Sequence, residues 1–251
     1  MREETPRCLT IVYLKRKLDA SNNFFMANVV IILGSSGTGK STSLKTLNPD
    51  ETVVINILGK RLPFKGSSSM YSPEKKNLFN VSTSDKMVAY IQSIDKNGPH
   101  VKNIIIDDCS YLMRKEFFAR AKETGYGKYT DIGLHTQQVI EACEKARQDL
   151  NIFLIYHSEE IQDNGSLIGY KVATVGKLLD QTYNPVEVVP IVLFSDVKFM
   201  EDGTPQYGFY TKRTKIGGVT IPAKSPDGMF DDNFIPNDLG LVIEKMNQYF
   251  A

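Results

Sequence analysis

Short apolar runs alternate with helical patterns along the first two thirds of the chain. Four uninterrupted runs rich in Val, Ile and Leu have the length of buried strands and lie at residues 28–33, 52–57, 101–106 and 152–156. Helices are predicted between them at residues 40–47, 84–96, 110–124 and 129–150, with Ser84 as a capping residue. Strands that alternate with helices pack as a mostly parallel sheet with helices on both faces.

The pattern changes beyond the fourth strand. Strands are predicted at residues 170–174, 186–200 and 206–212, and we expect them to add antiparallel strands to one edge of the sheet. Residues 62–79 contain prolines, a glycine and several serines, which predicts a long loop. Residues 238–250 are predicted to form a closing helix. The fold class is therefore α/β.

Composition limits the class of protein. The chain has 251 residues, of which 41% are hydrophobic, enough for one α/β domain with a large core. The net charge of +1 gives no global basic field, although a basic patch on one face stays open. The three cysteines form no C-x-x-C pair, which favours neither a disulfide framework nor a zinc site. No apolar run reaches the ~18 residues of a membrane span, so we expect a cytoplasmic location without membrane contact.

The domain is predicted to comprise residues 26–251. Met26 stands directly before the first strand, so residues 1–25 are either an N-terminal extension, even sequence upstream of the true start, or an additional strand near residues 8–14. The apolar patch in this segment is short and no small-residue cleavage site follows, so we do not expect a signal peptide.

A glycine-rich motif directly follows the first strand. It matches G-x-x-x-x-G-K-[ST] between a buried strand and a predicted helix. Its glycines let backbone N–H groups point inward around phosphates, and the helix N-terminus adds a positive dipole end. Lys40 is expected to reach the β- and γ-phosphates, and Ser41 to coordinate Mg²⁺. The residues predicted to bind the nucleotide are Gly34, Ser35, Ser36, Gly37, Thr38, Gly39, Lys40, Ser41 and Thr42.

Two carboxylates end the third apolar strand. Asp107 is expected to hold Mg²⁺, directly or through water, as the acidic partner of a phosphate loop. Asp108 could orient or activate the attacking water, because a carboxylate near a metal can act as a general base. The structural alternative is that both acids only begin a loop, with Asp108 as the N-cap of the next helix.

A histidine ends the fourth apolar strand. His157 could contact the γ-phosphate from the tip of a central strand, or it could be an ordinary loop residue. Glu159 and Glu160 follow directly and are weaker candidates for the catalytic base.

Basic and aromatic residues mark candidate contacts with other molecules. Lys212, Arg213 and Lys215 could supply a cationic finger to a nucleotide on a neighbouring subunit, could contact nucleic-acid phosphates, or could form a solvated strand end. Two predicted loops, residues 119–130 and 163–174, mix aromatic residues with lysines, which suits single-stranded nucleic acid but is also common in exposed loops. Their candidate DNA contacts are Lys122, Tyr126, Lys128, Tyr129, Tyr170 and Lys171.

With these motifs in order, the chain resembles the RecA-like P-loop ATPases, and it is similar to phage-encoded nucleotide-binding and single-strand annealing ATPases of that group. The resemblance covers about residues 26–250 and rests on the phosphate loop and on residues 104–108, 152–157, 126–129, 224–230 and 235–239.

The resemblance implies several functional properties. ATP and Mg²⁺ would bind at residues 34–41 with Asp107, and His157 would sense the γ-phosphate. Single-stranded DNA would contact the two predicted loops, and the basic run would reach across a subunit boundary in a ring or filament of identical chains. Such a protein would work with replication or recombination proteins, in the host cytoplasm if it is phage-encoded.

One departure from the RecA recombinases affects the expected activity. Those proteins place a catalytic glutamate just after the second strand, whereas residues 56–60 of this chain contain no acid. Either Asp108, Glu159 or Glu160 substitutes for it, or hydrolysis is slow. The chain is also short for filament formation and strand exchange, so binding and annealing are the favoured activities.

Three other functions share the phosphate loop. A small-molecule or nucleotide kinase usually adds an arginine-rich lid, which the sequence lacks. A GTPase commonly carries [NT]-K-x-D, and residues 211–214 match only its start, so adenine is favoured. A nucleotide-gated interaction module, such as a helicase loader, stays open because of the missing glutamate.

Overall fold

The fold is a mostly parallel mixed sheet. The computed structural model describes residues 26–176 and 184–251, so the prediction for residues 1–25 lies outside the described residues. The strands within those ranges are β1 (Asn28–Gly34), β2 (Thr52–Asn56), β3 (Leu78–Phe79), β4 (Asn103–Asp107), β5 (Asn151–Asp163), β6 (Ser166–Val172), β7 (Ile191–Phe199), β8 (Pro205–Tyr210), β9 (Thr214–Ile216), β10 (Val219–Ile221) and β11 (Phe234–Pro236).

Helices connect the strands. The α-helices of the described residues are α1 (Ser67–Met70), α2 (Ser84–Asn97), α3 (Ser110–Ala119), α4 (Gly127–Glu144), α5 (Pro185–Val188) and α6 (Leu239–Phe250), and a 3₁₀ helix spans Lys40–Thr46. The main path of the sheet runs β11-β8-β7-β1-β5-β4-β2-β3. From β7 to β3 all neighbours are parallel, while β8 and β11 add antiparallel pairs at one edge. The predicted α/β class with antiparallel strands at one edge is confirmed.

The two faces of the sheet are buried by different helices. Ile31 and Leu33 of β1 belong to a core that includes residues of α2, α3 and α4. Val30 and Ile32, which alternate with them, belong to a second core with the 3₁₀ helix and α6. Because both faces are covered, the central strands are continuous apolar runs, and this is the pattern that the sequence carries.

The register of the parallel strands collects polar residues at one edge. Gly34 at the end of β1 lies opposite His157 of β5. Asn56 at the end of β2 lies opposite Asp107 at the end of β4. Ligands of open α/β sheets bind at the carboxyl ends of the strands, so this edge is where a site is expected.

Strand β5 is much longer than the sequence predicts. It continues beyond His157 to Asp163 and turns at Asn164 and Gly165 into β6, so that the two form an antiparallel hairpin. The hairpin is extended by β10, which pairs with β6 and also with β9. The predicted end of the fourth strand at residue 156 is therefore wrong. The predicted loop at residues 163–174 is wrong as well, although the strand predicted at residues 170–174 overlaps β6.

Other predicted boundaries also differ from the structure. Residues 186–200 are not one strand, because Pro190 lacks a backbone N–H and separates α5 from β7. The predicted loop at 62–79 contains the short elements α1 and β3. Helices α3 and α4 end earlier than predicted, at Ala119 and Glu144. Thr83, not Ser84, precedes α2 as its cap, and its side chain makes no capping hydrogen bond.

Within residues 26–176 and 184–251, none of the helices combines the length and the apolar character that crossing a bilayer requires.

Candidate functional site

A cavity of about 820 Å³ opens at the carboxyl ends of the parallel strands. The phosphate loop between β1 and the 3₁₀ helix forms its floor. Asp107, Asp108 and His157 line the end on the β5 and β4 side of β1, and Tyr207, Asn237 and Asp238 line the end on the β8 and β11 side. The sequence-predicted phosphate loop and acidic strand are therefore brought together around one cavity.

The phosphate loop is held in shape by hydrogen bonds to its backbone. Gly37 and Gly39 adopt φ values of 83° and 90°, the left-handed region that favours glycine. The Thr38 hydroxyl donates to the Ser35 carbonyl over 3.0 Å. The Ser195 hydroxyl of β7 donates to the Thr38 carbonyl over 2.8 Å. Ser36 and Gly37 are exposed at the tip, where a ligand has access.

The Lys40 ammonium group lies inside its own loop. It donates to the carbonyl oxygens of Gly34 over 2.9 Å and of Ser35 over 2.6 Å. Burial lowers the pKa of Lys40 to about 8, against the opposing charges of Asp107 and Asp108. The lysine side chain lines the cavity and carries the charge that a phosphate requires.

Ser41 and Asp107 meet at the start of the 3₁₀ helix. The Ser41 hydroxyl donates to Oδ1 of Asp107 over 2.9 Å. Burial, followed by the charge of Asp108, raises the pKa of Asp107 to about 6, while the bond from Ser41 and the charge of Lys40 oppose this. A hydroxyl and a carboxylate are hard oxygen ligands of the kind that Mg²⁺ prefers.

The donor set fits magnesium that is shared with a nucleotide. Within residues 26–176 and 184–251 there is no group of three or more His, Cys, Asp and Glu side chains that could hold a metal alone. Mg²⁺ bound beside phosphates takes only one or two protein carboxylates, and phosphate oxygens and water complete its six ligands. Ser41 and Asp107 could supply such a partial ligand set.

Asp108 pairs with His157 across neighbouring strands. Asp108 has φ of 64°, in the left-handed region, and its Oδ1 lies 2.9 Å from Nε2 of His157. Its Oδ2 lies 3.7 Å from the Lys60 ammonium group. Burial alone would raise the pKa of Asp108, but the hydrogen bond with His157 and the charge of Lys60 hold it below its usual value. The cap of α3 is Cys109, so the alternative of Asp108 as the N-cap is wrong.

Two basic residues at the site were not proposed from the sequence. Lys60 and Arg61 follow β2 and line the cavity. Asn56 shapes this loop, because its Oδ1 accepts from the Gly59 N–H over 2.8 Å and its Nδ2 donates to the Lys60 carbonyl over 2.6 Å. The segment after β2, where the RecA recombinases carry a catalytic glutamate, therefore contributes two cationic side chains to the cavity.

The opposite wall of the cavity comes from the C-terminal part of the chain and was also missed. Asn237 donates from Nδ2 to the Gly39 carbonyl over 2.9 Å. Asp238 caps α6 and accepts from the Thr46 hydroxyl over 2.6 Å. The sequence signals here were the predicted start of the last helix at residue 238 and the 235–239 segment of the resemblance, and neither indicated a contact with the phosphate loop.

Glu159 and Glu160 lie on β5 beyond His157, and both are exposed. Glu159 pairs with Lys171 on β6 over 3.9 Å. Neither glutamate is among the residues that line the cavity. Asp108 therefore has the better geometry for activating water.

The predicted DNA contacts of the 119–130 segment differ in exposure. Tyr126 is 79% exposed, and Lys122 is exposed as well. Lys128 and Tyr129 lie in the first turn of α4, where the Lys128 ammonium group is 4.8 Å from the centre of the Phe117 ring. Tyr129 also packs beside that ring.

The remaining candidate contacts lie on β6 and β9 or, for Lys212 and Arg213, between β8 and β9. Tyr170 belongs to β6 and packs on Phe194, with ring centres 4.9 Å apart. Lys215 lies on β9, and Lys215 and Arg213 are exposed while Lys212 is half-buried. No contact in the structure tests the predicted roles of these residues.

These features define a P-loop nucleotide-binding protein with an α/β core. A family model described as an AAA domain matches residues 26–217, and the chain belongs to that family. No curated protein matches the chain. Family membership supports an AAA-type P-loop ATPase that binds nucleotide, whereas the narrower resemblance to phage annealing proteins stays a prediction.

Proposed function

We propose that the protein hydrolyses ATP in the presence of Mg²⁺ and couples its nucleotide state to binding of single-stranded DNA. One observation carries the proposal: the Ser41–Asp107 pair and the Asp108–His157 pair, each at 2.9 Å, line the same cavity as Lys40. A phosphate-binding loop, two hard oxygen ligands and a carboxylate that can accept a proton are the parts that phosphoryl transfer to water requires.

Binding uses the residues around the phosphate loop. The backbone N–H groups of residues 34–42 surround the phosphates, and the Lys40 ammonium group moves from its own loop carbonyls to the β- and γ-phosphates. Ser41 and Asp107 hold Mg²⁺, which when bound neutralises charge on the phosphate oxygens.

Hydrolysis uses the second carboxylate. Asp108 accepts a proton from the water that attacks the γ-phosphorus, as the bond from phosphorus to the bridging oxygen of ADP breaks. His157 orients the carboxylate by the hydrogen bond to Oδ1 and is a positioning residue that senses the γ-phosphate. The depressed pKa keeps Asp108 ionised and able to accept the proton.

Coupling to DNA uses basic and aromatic residues, of which Tyr126 and Lys122 are exposed. Tyr126 and Lys122 supply a base-stacking ring and a phosphate-binding charge, with Lys128, Tyr129, Tyr170 and Lys171 as further contacts. Lys212, Arg213 and Lys215 reach a nucleotide of a neighbouring copy in an oligomer. As part of the proposal, the protein acts in recombination, annealing or replication, with other proteins of those processes as partners.

The test is the rate of ATP hydrolysis by the full chain with no nucleic acid, single-stranded DNA, duplex DNA or single-stranded RNA. Salt is fixed, because phosphate contacts depend strongly on it. Stimulation by single-stranded DNA alone supports the proposal. Hydrolysis that does not respond to any nucleic acid rejects the coupling and favours a kinase or a nucleotide-gated partner protein, and phosphate acceptors would be screened next.

A further inference from the structure

The two ends of the cavity differ in chemistry. One end carries the carboxylates Asp107 and Asp108 together with Lys60, all suited to a metal ion and the terminal phosphate. The other end carries Tyr207 of β8, Pro236 of β11 and Asn237. A nucleotide that places its terminal phosphate and metal at the first end must direct its base away from them.

Tyr207 offers an aromatic surface directly beside the phosphate loop. The side chain is 45% exposed, although it lines the cavity. A Cβ atom added to Gly39 would lie 3.1 Å from Cδ1 of Tyr207, so the ring abuts the loop backbone. A half-exposed aromatic ring at this distance is suited to stacking on a flat base.

Asn237 ties this wall to the phosphate loop and retains an acceptor. Its Nδ2 donates to the Gly39 carbonyl over 2.9 Å. Its Oδ1 is buried and accepts no hydrogen bond from the described parts of the chain, 26–176 and 184–251. Buried polar atoms are normally partnered, so an acceptor without a donor beside a cavity points to a ligand group that donates.

The wall is fixed in place by a second contact. Oδ1 of Asp238 accepts from the N–H groups of Gly240 and Leu241, which start α6, and from the Thr46 hydroxyl at the end of the 3₁₀ helix. The corner at 236–238 is therefore attached at both ends of the helix that follows the phosphate loop. A site built on such fixed elements holds its ligand with little reorganisation.

We infer that Tyr207, Pro236 and Asn237 form the base subsite of the nucleotide and select a purine with a 6-amino group. The base stacks on Tyr207, and its amino group donates to Oδ1 of Asn237. A 6-oxo purine would place an acceptor against that acceptor. The inference rests on the proposed function, and it assigns base recognition to a segment, 236–238, that lies outside the matched family region of residues 26–217.

The experiment measures binding of ATP, ITP and inorganic tripolyphosphate, each with Mg²⁺, by calorimetry on the full chain. Wild type is compared with Tyr207→Ala and with Tyr207→Phe, which keeps the ring. Tripolyphosphate carries the phosphates without a base, so its binding reports the phosphate loop and the integrity of the fold.

We expect wild type to bind ITP about tenfold more weakly than ATP, because a hydrogen bond is exchanged for two opposed acceptors. Tyr207→Ala should lower the affinity for ATP about tenfold and leave the affinity for tripolyphosphate unchanged, while Tyr207→Phe should bind ATP like wild type. Equal ATP affinity in all three proteins, or equal affinity of wild type for ATP and ITP, overturns the inference while the proposed function stands. Failure of wild type to bind either ATP or tripolyphosphate overturns the proposed function itself.

Discussion

Nε2 of His157 lies 2.9 Å from Oδ1 of Asp108, although 49 positions separate the two residues along the chain. The strands β5 and β4 that carry them are neighbours and run parallel. Asp108 turns its side chain towards the histidine because its backbone leaves the strand in a left-handed conformation. The contact therefore links Asp108, which lies beside the predicted metal site, to β5, which continues beyond the cavity to Asp163.

The first prediction tests Asp108 as the base. Asp108→Asn should leave ATP affinity within about twofold of wild type and lower turnover about a hundredfold, because loss of a general base costs that much or more. Binding is measured by calorimetry and turnover by phosphate release. Glu159→Gln is the matched control, because Glu159 lies on β5 but does not line the cavity, and it should turn over normally. Undiminished turnover in Asp108→Asn would move the base to Glu159 or Glu160.

The second prediction concerns the phosphate-binding lysine. Lys40→Ala should abolish measurable turnover and lower the affinity for ATP by at least about a hundredfold, because the positive charge that contacts the β- and γ-phosphates is lost. Lys96→Ala is the control, since Lys96 is an exposed lysine in the last turn of α2 and is not among the residues that line the cavity. An unchanged ATPase rate in Lys40→Ala would refute the assignment of the site.

The third prediction follows from the buried carboxylate in the protein without ligand. Asp107 is 5% exposed and its pKa is raised from 3.8 to about 6, so its ionisation in the folded state is unfavourable. Its neutral form stabilises the fold at low pH, and this stability is lost as pH rises from about 4 to about 6. Asp107→Asn, which keeps an acceptor for Ser41, should therefore be more stable than wild type by about 3 kcal/mol at pH 8.

Urea unfolding at pH 5 and pH 8, without nucleotide or Mg²⁺, measures this difference. The gap between the two proteins should be larger at pH 8. Asp50→Asn, which removes an exposed carboxylate, is the control for the substitution itself. A variant that is less stable than wild type at pH 8 would show that the ionised Asp107 is stabilised in the fold.

The fourth prediction separates the cost of the left-handed backbone at Gly39 from the cost of a steric clash with Asn237. Gly39 has φ of 90°, and an added Cβ would lie 2.5 Å from Nδ2 of Asn237. Gly203 has φ of 80° with nothing within 4 Å of an added Cβ. Gly203→Ala should cost about 1 kcal/mol of unfolding free energy from the backbone conformation alone. Gly39→Ala should cost at least about 2 kcal/mol, because Asn237 must also move and release the Gly39 carbonyl. Equal costs would show that Asn237 adapts freely.

The fifth prediction concerns DNA. Tyr126→Ala should lower the affinity for single-stranded DNA about tenfold, because stacking of one base contributes about 1–3 kcal/mol. Phe199→Ala is the control, since Phe199 is 74% exposed but lies at the end of β7. Affinity is measured by fluorescence anisotropy at fixed salt. An equal effect of both substitutions, or no effect of Tyr126→Ala, would remove Tyr126 from the DNA contacts.

The phosphate loop and central strands could be predicted because their signals are local. Residues 34–41 form a contiguous motif, and each central strand is an apolar run that is buried on both faces. Strand β5 beyond His157 could not be delimited in this way. Its residues 158–163 are mostly exposed and polar, and they are extended because they pair with β6.

The missed site residues have no local signal of their own. Asn237 reaches Gly39 across 198 positions of the chain, and a single asparagine before a helix resembles any turn residue. Lys60 looks like an ordinary surface lysine until β2 and β4 pair and bring it near Asp108. Only the tertiary arrangement creates these contacts, so one sequence cannot show them.

The long strand β5 connects the nucleotide end of the cavity to the hairpin that it forms with β6. His157 belongs to the same unbroken strand as Asp163, six positions further on, and a strand rises about 3.3 Å per residue. The strand therefore spans about 20 Å between the nucleotide end and the tip of the hairpin, with an irregularity in its pairing with β6 between Ile161 and Gln162. On the proposed role of His157 in sensing the γ-phosphate, the sensing residue and the hairpin belong to one strand, so a shift of His157 would act directly on the residues that lead to the hairpin turn.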